Sequence, residues 1–148
     1  MITSTCTQPW IRKKELAEIV AATLLWVLPA VGLAQEEVVL KNGQREYQAY
    51  CATCHGTQGK GDGPMSTILI VVPADLTQIR KKNSGEFPFW RVYKIIDGRD
   101  MVRGHGARGM PVWGAYFLSE EGGGYLDEDR VIGRVLGLVY YLQSIQEK

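Results

Sequence analysis

Cysteine is scarce in this chain, and the scarcity limits what the protein can be. Its 148 residues include only three cysteines, which excludes a disulfide-stabilised scaffold. Net charge is also nearly absent, because 17 lysines and arginines are balanced by 16 acidic residues. No basic stretch is interleaved with aromatic residues, so a nucleic-acid binder is not indicated. The chain has no internal repeat, and its length and composition predict one globular domain.

The first 34 residues have the layout of a secretory signal peptide. A basic cluster at 12–14 precedes an apolar run from Ile19 to Ala34, and a polar, acidic stretch follows. That run is short for a bilayer, which needs about 20 apolar residues. We therefore predict that residues 1–34 are cleaved after Ala34 and that residues 35–148 form a periplasmic mature domain. An uncleaved segment, which would leave the protein membrane-associated, is the alternative.

Apolar periodicity predicts that the mature domain is mostly helical. A first helix is expected from about Lys41, and a second over 88–97, ended by Gly98. Residues 115–121 are expected to add a helical turn, and the last helix to cover 126–146. The second helix has an apolar face made of Phe89, Val92, Tyr93 and Ile96. The last helix has an apolar stripe made of Val131, Val135, Leu138, Tyr141, Leu142 and Ile145.

The segments between these helices are long for so small a domain. Residues 56–63 are rich in glycine, and residues 99–109 are irregular. The apolar stretch ILIVVPADLT, residues 68–77, is expected to be a buried extended segment or a short strand. Long loops in a compact domain need an explanation. A large prosthetic group for the loops to wrap would supply one.

Residues 51–55 read CATCH and combine two thiols with an imidazole. On a helix, Cys51, Cys54 and His55 share one face, because their offsets are three and four residues. The Cys-x-x-Cys-His spacing is the attachment signature of c-type haem, in which both thiols bond to the porphyrin. The adjacent imidazole can then reach the iron. A zinc site completed by His105 and a thioredoxin-like redox pair are the alternatives; zinc wants four ligands, and the redox pair should follow a strand.

A haem held by one imidazole needs a second axial ligand, and the sequence offers Met110. This residue lies in GMPVWG, residues 109–114, among glycines and charged residues rather than on an apolar stripe. Opposite a histidine, a methionine thioether raises the haem potential and suits electron transfer. His105 is the alternative ligand and would give a bis-imidazole haem, whereas Met65 and Met101 are less well placed.

Beyond these motifs, the chain resembles class I cytochrome c, the small, mostly helical carriers with one haem. The similarity spans about residues 40–146, and CATCHGTQGKGDGP and RGMPVWG look especially like bacterial members. Gly43 and Tyr47 stand where the family has a glycine and an aromatic residue before the first haem cysteine. The matching positions of the C-terminal helix are Leu138, Tyr141 and Leu142.

The resemblance implies an all-α, cytochrome c-like fold. Its N- and C-terminal helices would cross, with the glycine allowing close approach, and long loops would wrap one covalently bound haem c and its iron. The family also uses a proline carbonyl to accept the N–H of the axial histidine, and Pro64 and Pro73 are the two candidates here. The implied cofactor-binding residues are Cys51, Cys54, His55 and Met110, of which His55 and Met110 would bind the metal.

The function implied by the resemblance is one-electron transfer between redox partner proteins, by a monomer that is not itself an enzyme. Basic residues concentrate between Arg80 and Arg108 and would meet an acidic partner. Contact with a membrane would occur only through partners or an uncleaved signal segment. A subunit of an oxidoreductase complex, and a haem enzyme or gas sensor with a displaceable sixth ligand, are the alternatives. Candidates to hydrogen-bond the haem propionates are Arg99, Arg103, Arg108 and Trp113.

Overall fold

Residues 35–98 and 110–147 are the part of the chain that this computed structural model describes. Within those two ranges the chain forms helices, turns and loops, and it forms no strand. The expected all-α class is therefore confirmed. The chain divides into two units, Met1–Glu37 and Val38–Lys148, and nearly all described residues belong to the second. The predicted signal peptide lies outside the described residues.

The N-terminal helix begins earlier than the sequence suggested and contains a π turn. Residues 35–46 are α-helical (α1), so the helix is already formed before Lys41. It passes into a π turn over Tyr47–Cys51, where the N–H of Ala52 donates to the carbonyl of Tyr47. A short α-helix (α2) then covers Ala52–His55. Single π turns within helices occur frequently at functional sites, and this one ends at the first cysteine of CATCH.

After α2 the chain runs through a long loop over residues 56–75, and the later helices whose two facing ends are described are joined by shorter loops. A 3₁₀ turn over Leu76–Gln78 leads into α3 (Ile79–Lys82). The three longer helices follow: α4 (Phe89–Asp97), α5 (Trp113–Glu121) and α6 (Tyr125–Ser144). Helix α4 ends at a left-handed Gly98 with φ 97°, as expected, while α5 is longer than the single turn predicted. None of the helices in the two described ranges is both long and apolar enough to cross a membrane.

The core is built around α6, against which α4 and α5 pack. The predicted stripe of α6 faces this core, since Val131, Val135, Leu138, Tyr141 and Leu142 are all buried and Ile145 packs at its edge. Helix α1 crosses α6 where two glycines meet, and the fully buried Tyr47 contacts Tyr141 with ring centroids 5.1 Å apart. Crossing of the first and last helices is thus observed at the residues that the resemblance indicated.

No part of the stretch over 68–77 is a strand, and its apolar part over 68–72 is mostly exposed, so the expected buried segment or strand was wrong there. Residues 68–72 form turns and bends, and four of their five side chains are exposed. Proline at position 73 has no N–H to give to a sheet, and Asp75 instead caps the 3₁₀ turn by accepting the N–H of Thr77 at 2.9 Å. Apolar composition suggested burial, but the described part of the chain places no second element over this loop.

The C-terminal end of the chain holds the 3₁₀ turn in place. The side chain of Gln146 accepts the N–H of Arg80 at 2.8 Å and donates to the carbonyl of Leu76 at 2.8 Å. The backbone N–H of Glu147 donates to the carbonyl of Thr77 at 3.0 Å. These bonds tie the segment after residue 75 to the end of α6, and so they fix the loop that faces the CATCH helix.

Candidate functional site

A cavity of about 450 Å³ lies between the CATCH helix, the 74–83 segment, α4 and α6. This volume falls within the range of about 300–1,000 Å³ typical of cofactor sites, and its walls are mainly aliphatic. Cys51, His55 and Met110 all line it, so the structure brings Met110 to the same cavity as two predicted site residues that are far from it in sequence. Cys54 is half-buried and does not line the cavity.

His55 is buried and held by one backbone hydrogen bond. Its Nδ1 lies 2.9 Å from the carbonyl oxygen of Ala74. Because a carbonyl can only accept, Nδ1 carries the proton and Nε2 is left as the nitrogen that can bind a metal. Burial lowers the pKa of His55, against the opposing effect of the Ala74 bond, and so favours the neutral imidazole that metals require.

The acceptor for His55 corrects the family-based expectation. Neither Pro64 nor Pro73 provides the carbonyl; the residue after Pro73 does. Glycine at position 61 makes this possible, since a Cβ there would lie 2.3 Å from the carbonyl oxygen of Pro73. The N–H of Gly61 also donates to the carbonyl of His55 at 2.8 Å. The glycine-rich loop therefore brings the 73–74 backbone close enough for Ala74 to reach the imidazole.

Both cysteines of the motif are free thiols. Burial, with a smaller contribution from the charge of Glu46, raises the pKa of the Cys51 thiol to about 12. The π turn ends at Cys51, while Cys54 belongs to the following α-helix, so the pair spans the junction of two helical types. The single-face argument from regular helix spacing is therefore an approximation here.

Met110 is half-buried, packs against the hydrophobic core and lines the cavity three residues before α5 begins. Met65, two residues after the glycine-rich loop, is exposed and is absent from the cavity wall. Of the two thioethers in the described ranges, Met110 alone is therefore placed to act as a ligand. Met101 and His105 lie outside the described residues.

Two cationic residues of the cavity wall were not identified from the sequence. Lys82 and Arg91 line the cavity and are themselves exposed, so they stand at its mouth. Their signal was the excess of basic residues after Arg80, but nothing in that excess distinguished them from solvated surface charge. The predicted propionate contacts Arg99, Arg103 and Arg108 lie outside the described residues.

Trp113, the fourth predicted propionate contact, is buried but does not line the cavity. It packs against Tyr50 and Phe117 with ring centroids 5.6 Å apart in each case. Its indole N–H has no hydrogen-bond partner among the described residues. A buried N–H without a partner is expected to donate to a group outside those residues, and a hydrogen bond from Trp113 to a haem propionate stays a prediction.

The donor chemistry of the site separates haem from its rivals. No three His, Cys, Asp or Glu side chains within the described ranges are grouped to hold a metal ion, so Cys51, Cys54 and His55 do not form a zinc cage. A thioredoxin-like redox pair should follow a strand, and no strand precedes CATCH in the described part of the chain, so this alternative is also not supported. A large aliphatic cavity walled by thiol, imidazole and thioether fits a haem.

Comparison with known families gives an independent answer. Residues 39–122 match the family described as "Cytochrome C oxidase, cbb3-type, subunit III". The chain belongs to this family. Its domain is a c-type cytochrome domain, which binds haem c covalently and serves in electron transfer. No curated protein and no solved structure matches the chain. In this cytochrome domain the match covers α1 to α5 and includes every predicted site residue.

Proposed function

We propose that this chain is an exported, periplasmic one-electron carrier whose single haem is attached through Cys51 and Cys54 and ligated by His55 and Met110. The observation that supports this most strongly is that both proposed ligands line one aliphatic cavity together with Cys51. A haem held by both His55 and Met110 would leave small molecules no binding site on its metal. A carrier is therefore favoured over an enzyme or a gas sensor.

Each residue of the site has a distinct part in this function. The haem, when bound, supplies a one-electron couple between ferric and ferrous iron. Ala74 keeps His55 in one tautomer and strengthens it as a ligand. Met110 would provide a soft thioether, which favours the reduced metal and would raise the potential. The aliphatic wall excludes water, and Lys82 and Arg91 at the mouth could pair with the anionic propionates.

A permanent place in an oxidoreductase complex is the second candidate function. The family is described as a subunit of an oxidase, which favours it. The chemistry would be the same, and the partner would differ. Co-purification from membranes at low and at high salt separates the two, because a shuttle is released by salt and a tightly packed subunit is retained.

The test is to express the full chain in cells with working haem-ligation machinery and to measure its mass and visible spectrum. We expect a mass increased by one haem and a weak band at the red end of the oxidised spectrum, which is typical of sulfur ligation. Met110→Ala should lose that band and bind carbon monoxide rapidly when reduced. Met65→Ala is the matched control, because Met65 is exposed and lies away from the cavity, and it should keep the wild-type spectrum.

Two results would contradict the proposal at different levels. A product with the bare polypeptide mass would refute haem attachment and with it the whole function. A Met110→Ala protein with an unchanged spectrum would refute only the axial assignment and would direct attention to His105. Cell fractionation tests the location, since the haem protein should be released with the periplasmic contents.

A further inference from the structure

The loop after the CATCH helix presents a contiguous aliphatic surface to solvent. Its side chains, which we call the 68–72 surface, are Ile68, Ile70, Val71 and Val72, exposed by 70%, 102%, 61% and 75%. Leu69, between them, is half-buried. Single exposed apolar residues are ordinary, but four on one short loop mark an interaction site.

The 68–72 surface is continuous with the His55 side of the haem cavity. Two residues beyond Val72, Ala74 lines the cavity and accepts the N–H of His55. A protein seated on the loop would therefore lie beside backbone atoms that contact the proposed iron ligand. Electron transfer between proteins requires such closeness of two redox centres, whereas a lipid surface gains nothing from it.

Two exposed lysines lie on the segments that adjoin the loop of the 68–72 surface. Exposed Lys60 lies in the 59–61 turn, which is packed against the 73–76 segment through the bond from the N–H of Leu76 to the carbonyl of Gly59 at 2.7 Å. Exposed Lys82 lines the cavity together with Ala74. Three carboxylates lie on the same segments: that of Asp62 lies against Gly56, that of Asp75 accepts the N–H and the hydroxyl of Thr77, and that of Glu147 accepts from the side chain of Gln78. These charges complement a partner whose apolar contact area is edged by carboxylates.

The size of the surface also limits what can cover it. A standard stable interface uses about 20–30 residues on each side, and this loop offers four exposed aliphatic side chains and two flanking lysines. A stable dimer of two copies of this chain would need a much larger area. A short-lived complex, of the small size typical of redox encounters, fits the area that the loop provides.

We propose that the 68–72 surface is the docking site for a redox partner protein that has an apolar contact area edged by acidic residues. The inference rests on the proposed electron-transfer function and adds to it the place where the partner binds. One electron passes between the haem of this chain and the partner's centre, so that one is oxidised as the other is reduced. No bond forms or breaks in the exchange.

The experiment uses the haem-loaded protein and membranes isolated from the organism that encodes it. The reduced protein is mixed rapidly with the membranes, and its oxidation is followed by absorbance. Ile70→Ser with Val72→Ser removes the most exposed part of the surface without touching the core. Leu126→Ser is the matched control, because Leu126 is 72% exposed on α6. Ferricyanide, a small oxidant that needs no docking surface, reports whether each haem is competent.

We expect the double variant to be oxidised by the membranes about tenfold more slowly or slower still, because the lost apolar contacts shorten the life of the complex. Its visible spectrum and its oxidation by ferricyanide should equal those of the wild type. Leu126→Ser should match the wild type in all three measurements. Raising the salt concentration should slow the wild type, because the flanking lysines steer the encounter.

Several outcomes would overturn the docking proposal. These are oxidation of the double variant by membranes at the wild-type rate, and failure of the membranes to oxidise the wild type at all. Binding of the wild type but not the variant to protein-free vesicles of the same lipids would show that lipid covers the loop. A wild-type dimer that the variant converts to a monomer would show that a second copy does. A wild type without haem, or inert to ferricyanide, would instead refute the proposed function.

Discussion

Gly43 and Gly137 meet backbone to backbone where α1 crosses α6. A Cβ built on Gly43 would lie 1.9 Å from the carbonyl oxygen of Gly137, a distance that no real side chain can occupy. The contact brings Tyr47, the first residue of the π turn that follows α1, against Tyr141 of α6. Because the same helix continues into CATCH, this crossing sets where the two cysteines and His55 stand relative to α6.

Replacing Gly43 by alanine should therefore force the two helices apart. We expect Gly43→Ala to lower the free energy of unfolding by about 1–3 kcal/mol, the usual cost of overpacking a core. Gly133→Ala on the same helix α6 is the control, since nothing lies within 4 Å of a Cβ there. It should raise stability by about 0.5–1 kcal/mol, because alanine is the better helix former. Urea unfolding followed by circular dichroism measures both, and equal effects would contradict the crossing.

The loop glycine at position 61 offers a test of how His55 is held. Gly61→Ala adds a Cβ 2.3 Å from the carbonyl oxygen of Pro73 and should displace Ala74 from His55. Under the proposed ligation of the iron by His55, loss of that bond would weaken the imidazole as a donor, and the reduction potential should rise because the ferric state is less favoured. Gly85→Ala is matched to it, because both glycines have positive φ but nothing lies near a Cβ at position 85.

Both alanine variants should lose about 1–3 kcal/mol of stability from left-handed backbone strain. Only Gly61→Ala should also shift the potential measured by redox titration with optical detection. An unchanged potential in that variant would mean that the Ala74 carbonyl does not govern the ligand strength of His55.

The hydroxyl of Tyr47 connects the helix crossing to the end of CATCH. Tyr47 is fully buried, and its hydroxyl donates to the carbonyl of Gly56 at 2.6 Å. Burial raises the pKa of Tyr47, so the hydroxyl keeps its proton throughout the neutral range. Tyr47→Phe should cost about 0.5–1.5 kcal/mol of unfolding free energy through the lost hydrogen bond. Tyr140→Phe on exposed α6 surface should change stability by less than about 0.5 kcal/mol in the same denaturation assay.

Arg134 of α6 joins three helices through one guanidinium group. It forms two 3.0 Å hydrogen bonds to Glu46 at the end of α1 and bonds of 3.1 and 3.2 Å to Glu120 and Glu121 of α5. Its Cζ also lies 3.9 Å from the ring centroid of Phe117. Burial acts to lower the pKa of Arg134, but the bonds and charge of Glu46 outweigh it and raise the pKa.

Removing this group should leave acidic side chains without their partner. We expect Arg134→Met to cost about 2–4 kcal/mol of stability, less than a fully buried ion pair because the network is partly exposed. Arg134→Lys should recover only part of it, since lysine cannot form the paired bonds to Glu46. The control Arg130→Gln breaks two surface pairs, with Asp127 and with Glu121, each worth less than about 1 kcal/mol. Similar losses in Arg130→Gln and Arg134→Met would contradict the role of the network.

Patterns among residues close together in the sequence were sufficient to predict the haem chemistry and most of the helices. The spacing of Cys51, Cys54 and His55 indicated haem, and the apolar stripe indicated α6, because both depend on residues within a few helical turns of one another. The glycine and aromatic positions shared with class I cytochromes located the helix crossing. The apolar composition of residues 68–72, by contrast, predicted that they are buried, whereas four of the five side chains are exposed.

Contacts between distant residues decided what local pattern could not. His55 is held by a residue 19 positions away and Arg134 by one 88 positions away, and neither pairing leaves a trace in the spacing of its own segment. Whether an apolar stretch is covered depends on which elements arrive above it, a property of the whole chain rather than of the stretch. Single motifs were thus sufficient to predict the cofactor chemistry. Only the tertiary structure showed which carbonyl accepts the N–H of His55, which glycine contacts Gly43, and that the 68–72 surface is exposed.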